Sequence, residues 1–138
     1  MQRLEHLSQQ VEQVMAEIGE RYGQYQRDRG LFCRSGCGEC CLHPGIEATV
    51  LEMLPLAFSL LQEGKAESTL DALQTHDLPG CFFYSRHSAD GKQGQCSVYM
   101  KRPGICRLFG AAGYNGREGD VQLSVCKNIK VDHPKALQ

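Results

Sequence analysis

Leu4, Leu7, Val11, Val14, Ile18, Tyr22 and Tyr25 recur at spacings of three and four, which places them on one stripe of an amphipathic helix over about residues 3 to 28. Glu5 near its start and Arg27 and Arg29 near its end suit the helix dipole, and Gly30 can supply the left-handed residue that stops it. The stripe could receive a helix of a protein partner. Its heptad lapses after Ile18, however, and Gly19 and Gly23 weaken the helix, so packing on the chain's own core is favoured. Thr49 followed by Glu52 reads as a capping box that starts a second helix. Val50, Leu51, Met53, Leu54, Leu56, Ala57, Phe58, Leu60 and Leu61 predict that this helix is the most buried, with a kink or a new segment at Pro55.

A short third helix is predicted from Glu67 to Gln74, with Leu70 and Leu73 on one side, and Pro79-Gly80 then resets the chain. Cys81-Phe82-Phe83-Tyr84 and Cys96-Ser97-Val98-Tyr99 are β-prone runs that predict a small hairpin. Val121 to Val125 is a further candidate strand, after a loop holding Gly110, Gly113, Gly116 and Gly119. The expected fold class is α+β, mainly helical: an N-terminal amphipathic helix (1–30), a small cysteine-rich metal-binding domain (31–130) with a buried central helix and a short β-hairpin, and a loose C-terminal tail (131–138).

The chain has 138 residues, enough for one compact domain, and its 41% hydrophobic and 22% charged residues are those of an ordinary globular protein. A formal charge of -1 lacks the basic footprint of a nucleic-acid binder. No membrane span is expected, because the longest apolar-rich stretch, Val50 to Leu61, is short and broken by Glu52, Pro55 and Ser59. Met1 to Glu20 carries too many polar residues for a secretory signal, so a cytoplasmic location is expected. Eight cysteines change the picture. In a reducing compartment, clustered thiols are more often metal ligands or redox groups than disulfides.

The cysteines run Cys33-x3-Cys37-x2-Cys40-Cys41, then Cys81, Cys96, Cys106 and Cys126. Cysteines two to four residues apart on a tight loop can converge on one ion, and Gly36 and Gly38 permit backbone turns that aim amides at sulfur. The C-x3-C-x2-C spacing also matches the triad of radical S-adenosylmethionine enzymes, but the chain has neither the length nor the strand–helix repeat of their barrel. Cys40-Cys41 is a stricter constraint. Adjacent side chains diverge on a strand or helix, so two sites or one polynuclear centre follow more naturally than a single shared ion.

The segment Cys96-Ser-Val-Tyr99-Met-Lys-Arg102-Pro103-Gly-Ile-Cys106-Arg107 adds a second block. With the first, it resembles the YkgJ-type cysteine-cluster family, described as zinc- or iron-chelating, whose pattern is C-x3-C-x2-C-C followed by C…C-x2-Y-x3-R-P-x2-C-R. Cys33, Cys37, Cys40 and Cys41 match the first block; Cys96, Tyr99, Arg102, Pro103, Cys106 and Arg107 match the second apart from small spacing differences. Cys81 sits in the Cys-Phe-Phe context of that family and Cys126 resembles its trailing cysteine, so the likeness spans roughly residues 31 to 128. The resemblance implies metal chelation. A related cysteine-rich module occurs in flagellin lysine methylases, which implies that some members support enzymology.

All eight cysteines are therefore candidate ligands for Zn²⁺, with an iron–sulfur cluster as the alternative, because tetrahedral sulfur suits both metals. Eight thiolates on two Zn²⁺ would leave a charge of about -4, for which Arg102 and Arg107 are candidate counter-charges. Tyr99 is expected to pack its ring beneath the cysteine loop. His43 is a possible extra ligand, while His6, His76, His87 and His133 are expected to be solvated. No arrangement of catalytic groups is recognisable, and whether the chain is an enzyme is left open.

Overall fold

The computed structural model describes residues 1–137. Its first helix, α1, spans Gln2–Arg29 and ends at Gly30, whose φ of 64° and ψ of 30° are the left-handed values anticipated there. Helix α2 covers Val50–Gln62 behind a complete Thr49/Glu52 capping box, and α3 covers Ala66–Gln74. A short hairpin follows, β1 (Tyr84–Arg86) and β2 (Gly94–Cys96). Then come α4 (Gly104–Leu108), a second antiparallel hairpin of β3 (Ala111–Asn115) and β4 (Val121–Val125), and α5 (Lys127–Asp132). With 53% helix and two small hairpins, the chain is α+β and mainly helical. No described helix is long and apolar enough to cross a membrane.

The long helix does pack on the rest of the chain. Val11 and Met15 of α1 and Pro55 and Leu56 of α2 are buried where the two helices meet. Helix α2 continues through Pro55 as one element, but it is not the most buried part of the fold. Val50 is 84% exposed, and Leu51 and Leu61 are also open. The reason is geometric: an all-round apolar helix needs neighbours on every side, whereas α2 packs chiefly on α1, with less contact to α3 and a 3₁₀ turn.

The first hairpin is shorter than the β-prone runs, which touch it only at Tyr84 and Cys96, the pair in register at its open end. The Ser97 N–H and hydroxyl both donate to the Phe83 carbonyl, at 2.8 and 2.7 Å, but Phe82 and Phe83 lie in a turn that the Tyr84 N–H closes on the Cys81 carbonyl at 3.2 Å. The glycine-bearing stretch expected as a loop is largely strand: Ala111–Asn115 pairs in full with Val121–Val125, and only the connection around Gly116–Gly119 turns. The C-terminal stretch, expected as a tail, is helical through Asp132 and forms a 3₁₀ turn over Pro134–Leu137. Its Ala136 packs against the cluster of Leu31, Ala111 and Ile129, and only Gln138 lies outside the described residues. Those three residues are each about 1% exposed, and burying Leu31 and Ile129 contributes roughly 1.5–3 kcal/mol apiece.

Apolar burial is nonetheless sparse. The buried hydrophobic residues among those described are Val11, Met15, Leu31, Leu56, Tyr84, Ala111 and Ile129. Between Leu56 and Ala111, the region that carries Cys81, Cys96 and Cys106 holds one of them, Tyr84.

Candidate metal centre

The first cysteine block lies on an irregular loop that is pinned by backbone hydrogen bonds. The Gly38 N–H donates to the Lys92 carbonyl at 2.8 Å, the Gly94 N–H donates to the Gly36 carbonyl at 2.9 Å, and Cys37 forms an isolated bridge with Gln93. Gly36 takes a φ of 73°, as the sequence reading requires of a tight turn. Tyr84 fills the space between Gly38 and Gly94, and its hydroxyl donates to the Gly91 carbonyl at 2.7 Å. A side chain on either glycine would collide with the Tyr84 ring. The aromatic support beneath the cysteine loop is thus Tyr84. Tyr99, expected in that role, is 58% exposed and covered on one face by the Arg102 guanidinium, 3.6 Å from its ring centre.

Cys40 and Cys41 sit on a 3₁₀ turn over Glu39–Leu42. The neighbouring Cys41 thiol favours the Cys40 thiolate and brings Cys40 down to about 6, while Cys41 is pushed up. The Cys81 N–H donates to the Cys41 carbonyl at 2.8 Å. Gly80 allows that approach, because a Cβ there would lie 2.6 Å from the same oxygen. The Tyr84 N–H donates to the Cys81 carbonyl at 3.2 Å, and Tyr84 pairs with Cys96, which brings Cys41, Cys81 and Cys96 along one short run of backbone.

Cys33 and Cys126 meet elsewhere, at Gly110. The Cys126 N–H donates to the Gly110 carbonyl at 2.6 Å, and a Cβ on Gly110 would lie 3.4 Å from the Cys33 Sγ. Asn128, in the first turn of α5, donates its side-chain N–H to the Cys37 Sγ at 3.4 Å and also bonds Glu39. Arg34 forms a two-pronged ion pair with Asp132, at 2.6 and 2.9 Å, which fastens the Cys33 loop to the end of α5.

Burial pushes the thiols of Cys33, Cys96 and Cys106 up, and the Arg102 charge partly offsets it in all three. Arg102 also helps to lower Cys40. Its side chain is held in place by a bond to the Cys106 carbonyl at 3.1 Å and another to the Tyr99 carbonyl at 2.9 Å. Arg107, the other expected counter-charge, is a strut instead: it donates to the carbonyls of Arg102 and Met100 at 2.8 and 2.7 Å. His43 turns inward on its own loop, its Nδ1 accepting the Gly45 N–H at 3.1 Å.

All eight cysteines are free thiols, six of them partly buried and two, Cys33 and Cys81, exposed. No three His, Cys, Asp or Glu side chains among the described residues stand in metal-binding geometry. The donor set still suits a thiophilic metal. Sulfur is supplied by eight side chains, one sulfur already receives an amide N–H, and the Arg102 charge favours the thiolate form of four of them. The model of the CxxCxxCC family, described as a putative zinc- or iron-chelating domain, matches residues 32–127.

The chain belongs to the CxxCxxCC family. That match contains all eight cysteines, Tyr84 and Arg102, and leaves α1 outside. Three supporting residues lie outside the sequence expectations: Tyr84, Asn128 and Tyr22, whose hydroxyl accepts the Ala111 N–H beside Gly110 at 3.0 Å. Tyr84 lies within the CxxCxxCC match, signalled only by the glycines it packs on, while Tyr22 and Asn128 lie outside it. No curated protein and no solved structure matches the chain.

Proposed function

We propose that this protein coordinates zinc through Cys33, Cys37, Cys40, Cys41, Cys81, Cys96, Cys106 and Cys126, and that the metal holds the C-terminal two thirds of the chain together. One observation carries this reading: seven of the eight free thiols lie between Leu31 and Ala111, a span whose buried hydrophobic residues are Leu56 and Tyr84. A region of three-residue strands and glycine turns cannot offset its ordering entropy by hydrophobic contact, and metal–thiolate bonds are the remaining source of stability. Once bound, zinc would supply tetrahedral cross-links and no redox chemistry. The protein's own residues set the terms of binding. Tyr84 and the glycines beneath it fix the loop, Asn128 orients the Cys37 sulfur, and Arg102 offsets thiolate charge. Reduced thiols suit a cytoplasmic setting.

An iron–sulfur cluster is the second reading, favoured by the adjacent Cys40 and Cys41 on one 3₁₀ turn, which suit a centre with more than one metal. Anaerobic purification with elemental analysis and an absorption spectrum separates the two. Zinc in a colourless protein supports the first, iron with acid-labile sulfide in a brown protein supports the second, and a metal-free fold with four disulfides contradicts both.

A further inference from the structure

We propose that the groove between α1 and α2 is a second site, which binds the ammonium head of a small primary amine and lays its short aliphatic stem on Pro55 and Phe58. No cysteine lines this groove, so the inference stands apart from the metal-binding reading.

The groove follows from helical periodicity. Glu5, Ser8, Gln9 and Glu12 form one i, i+3, i+4, i+7 stripe of α1, and Pro55, Phe58, Ser59 and Gln62 form the same stripe of α2. Facing stripes normally interdigitate as ridges and grooves, and on α1 Val11 and Met15 are buried in that way. Here the α1 stripe is polar, and the helices leave a cleft of about 180 Å³ that Lys101 closes on a third side. That volume is below the roughly 300–1,000 Å³ of pockets for drug-sized ligands, so the occupant is small.

The polar groups in the cleft decide the charge of that occupant. Glu12 and Lys101 pair with each other, and Ser59 donates to Glu63 at 3.1 Å. Glu5, Ser8, Gln9 and Gln62 line the cleft without a hydrogen-bond or ion-pair partner among the described residues. Ser8 is 6% exposed, the only buried polar residue among those described. No sealed side-chain nitrogen or oxygen among the described residues lacks a hydrogen-bond partner, so the Ser8 hydroxyl, which bonds none of them, is reached from the cleft. A buried hydroxyl in this state gains free energy when a donor enters.

Because Lys101 neutralises Glu12, the cleft keeps one uncompensated negative charge, that of Glu5. Glu5 neighbours Ser8 at i+3 and Gln9 at i+4 on the same face. An ammonium carries three donors and no acceptor, which suits a carboxylate, a hydroxyl oxygen and an amide oxygen gathered on one helical turn. Pro55 and Phe58 on α2 supply apolar surface for the methylenes behind it. An anion would meet Glu5 and Glu12 as like charges, and a neutral alcohol would leave the Glu5 charge unpaired.

The probe is n-butylammonium chloride, titrated into the anaerobically purified, ¹⁵N-labelled protein with amide chemical shifts as the readout. Saturable shifts are expected in residues 5–12 and 55–62 and at Lys101, whereas n-butanol, of matched shape without the charge, and butyrate should give none. Glu5→Gln should weaken binding about tenfold or more, and Ser8→Ala by about two- to tenfold. Glu17→Gln removes the same charge from α1 outside the cleft and should leave binding unchanged. Shifts that fail to saturate at millimolar n-butylammonium, or that n-butanol or butyrate reproduces in the unmodified protein, would overturn the site. Equal weakening by Glu5→Gln and Glu17→Gln would also overturn it, by reducing the effect to general charge attraction.

Discussion

The Tyr22 hydroxyl accepts the Ala111 N–H at 3.0 Å, joining the N-terminal helix to the first residue of β3. The same hydroxyl donates to the Phe109 carbonyl at 3.5 Å, so it spans Gly110, the residue on which Cys33 and Cys126 meet. A helix outside the family match thus clamps the strap behind two of the candidate ligands.

Tyr22→Phe keeps the ring and leaves the partly buried Ala111 amide without a partner. The expected cost is about 1–2 kcal/mol, measured as a lowered urea midpoint of the metal-loaded protein. An unchanged midpoint would mean that water replaces the hydroxyl and that the clamp contributes nothing.

Gly38 has a φ of -114°, which any residue tolerates, so its role is spatial. Gly38→Ala drives a methyl group into the Tyr84 ring and should destabilise the fold by about 1–3 kcal/mol, with weakened metal retention. Gly113→Ala is the matched control, since the nearest atom to its Cβ is 3.9 Å away. Equal midpoints for the two variants would show that the loop moves aside freely.

The helices were legible because their signals are local: a stripe, a capping box and Gly30 are each complete within a few residues. Ala111–Asn115 was not, because Ala-Ala-Gly-Tyr-Asn has no alternating pattern and becomes a strand only through its pairing with Val121–Val125. The hairpin starts only at Tyr84 because Cys81–Tyr84 closes a turn, the Tyr84 N–H donating to the Cys81 carbonyl, that the β-prone Phe82-Phe83 pair does not announce. At the candidate site, the cysteines and Arg102 were readable as spacing. Tyr84, Tyr22 and Asn128 act across long stretches of sequence, and Arg107 carries a charge that backbone carbonyls consume.

Glu52 joins two elements, accepting the Thr49 N–H at 2.9 Å and the Gly104 N–H at 3.0 Å at the start of α4, which bears Cys106. Those bonds, the Thr49 backbone first, hold its carboxyl below the ordinary carboxylate range. A depressed folded value means that this contribution is fully present above the unfolded value of about 4.3 and is lost as pH falls through the folded one. The stability difference between wild type and Glu52→Gln should therefore be constant from neutral pH to roughly 4.5 and close below it. A difference that ignores pH across that window would detach the carboxylate charge from its role.

Metal removal should affect the chain unevenly. Helices α1 and α2 bury Val11, Met15 and Leu56 against each other and should keep their helical signal, while residues 81 to 126 lose amide protection. Hydrogen exchange before and after strong chelation reads this directly. Unchanged protection over that segment in metal-free protein would contradict a structural role for the metal.

X-ray absorption at the metal edge of the anaerobically purified protein tests whether the cysteines are the ligands. The expected first shell is sulfur alone, about four per metal at roughly 2.3 Å. A first shell containing nitrogen or oxygen at roughly 2.0–2.2 Å, or a sample with no metal, would contradict it.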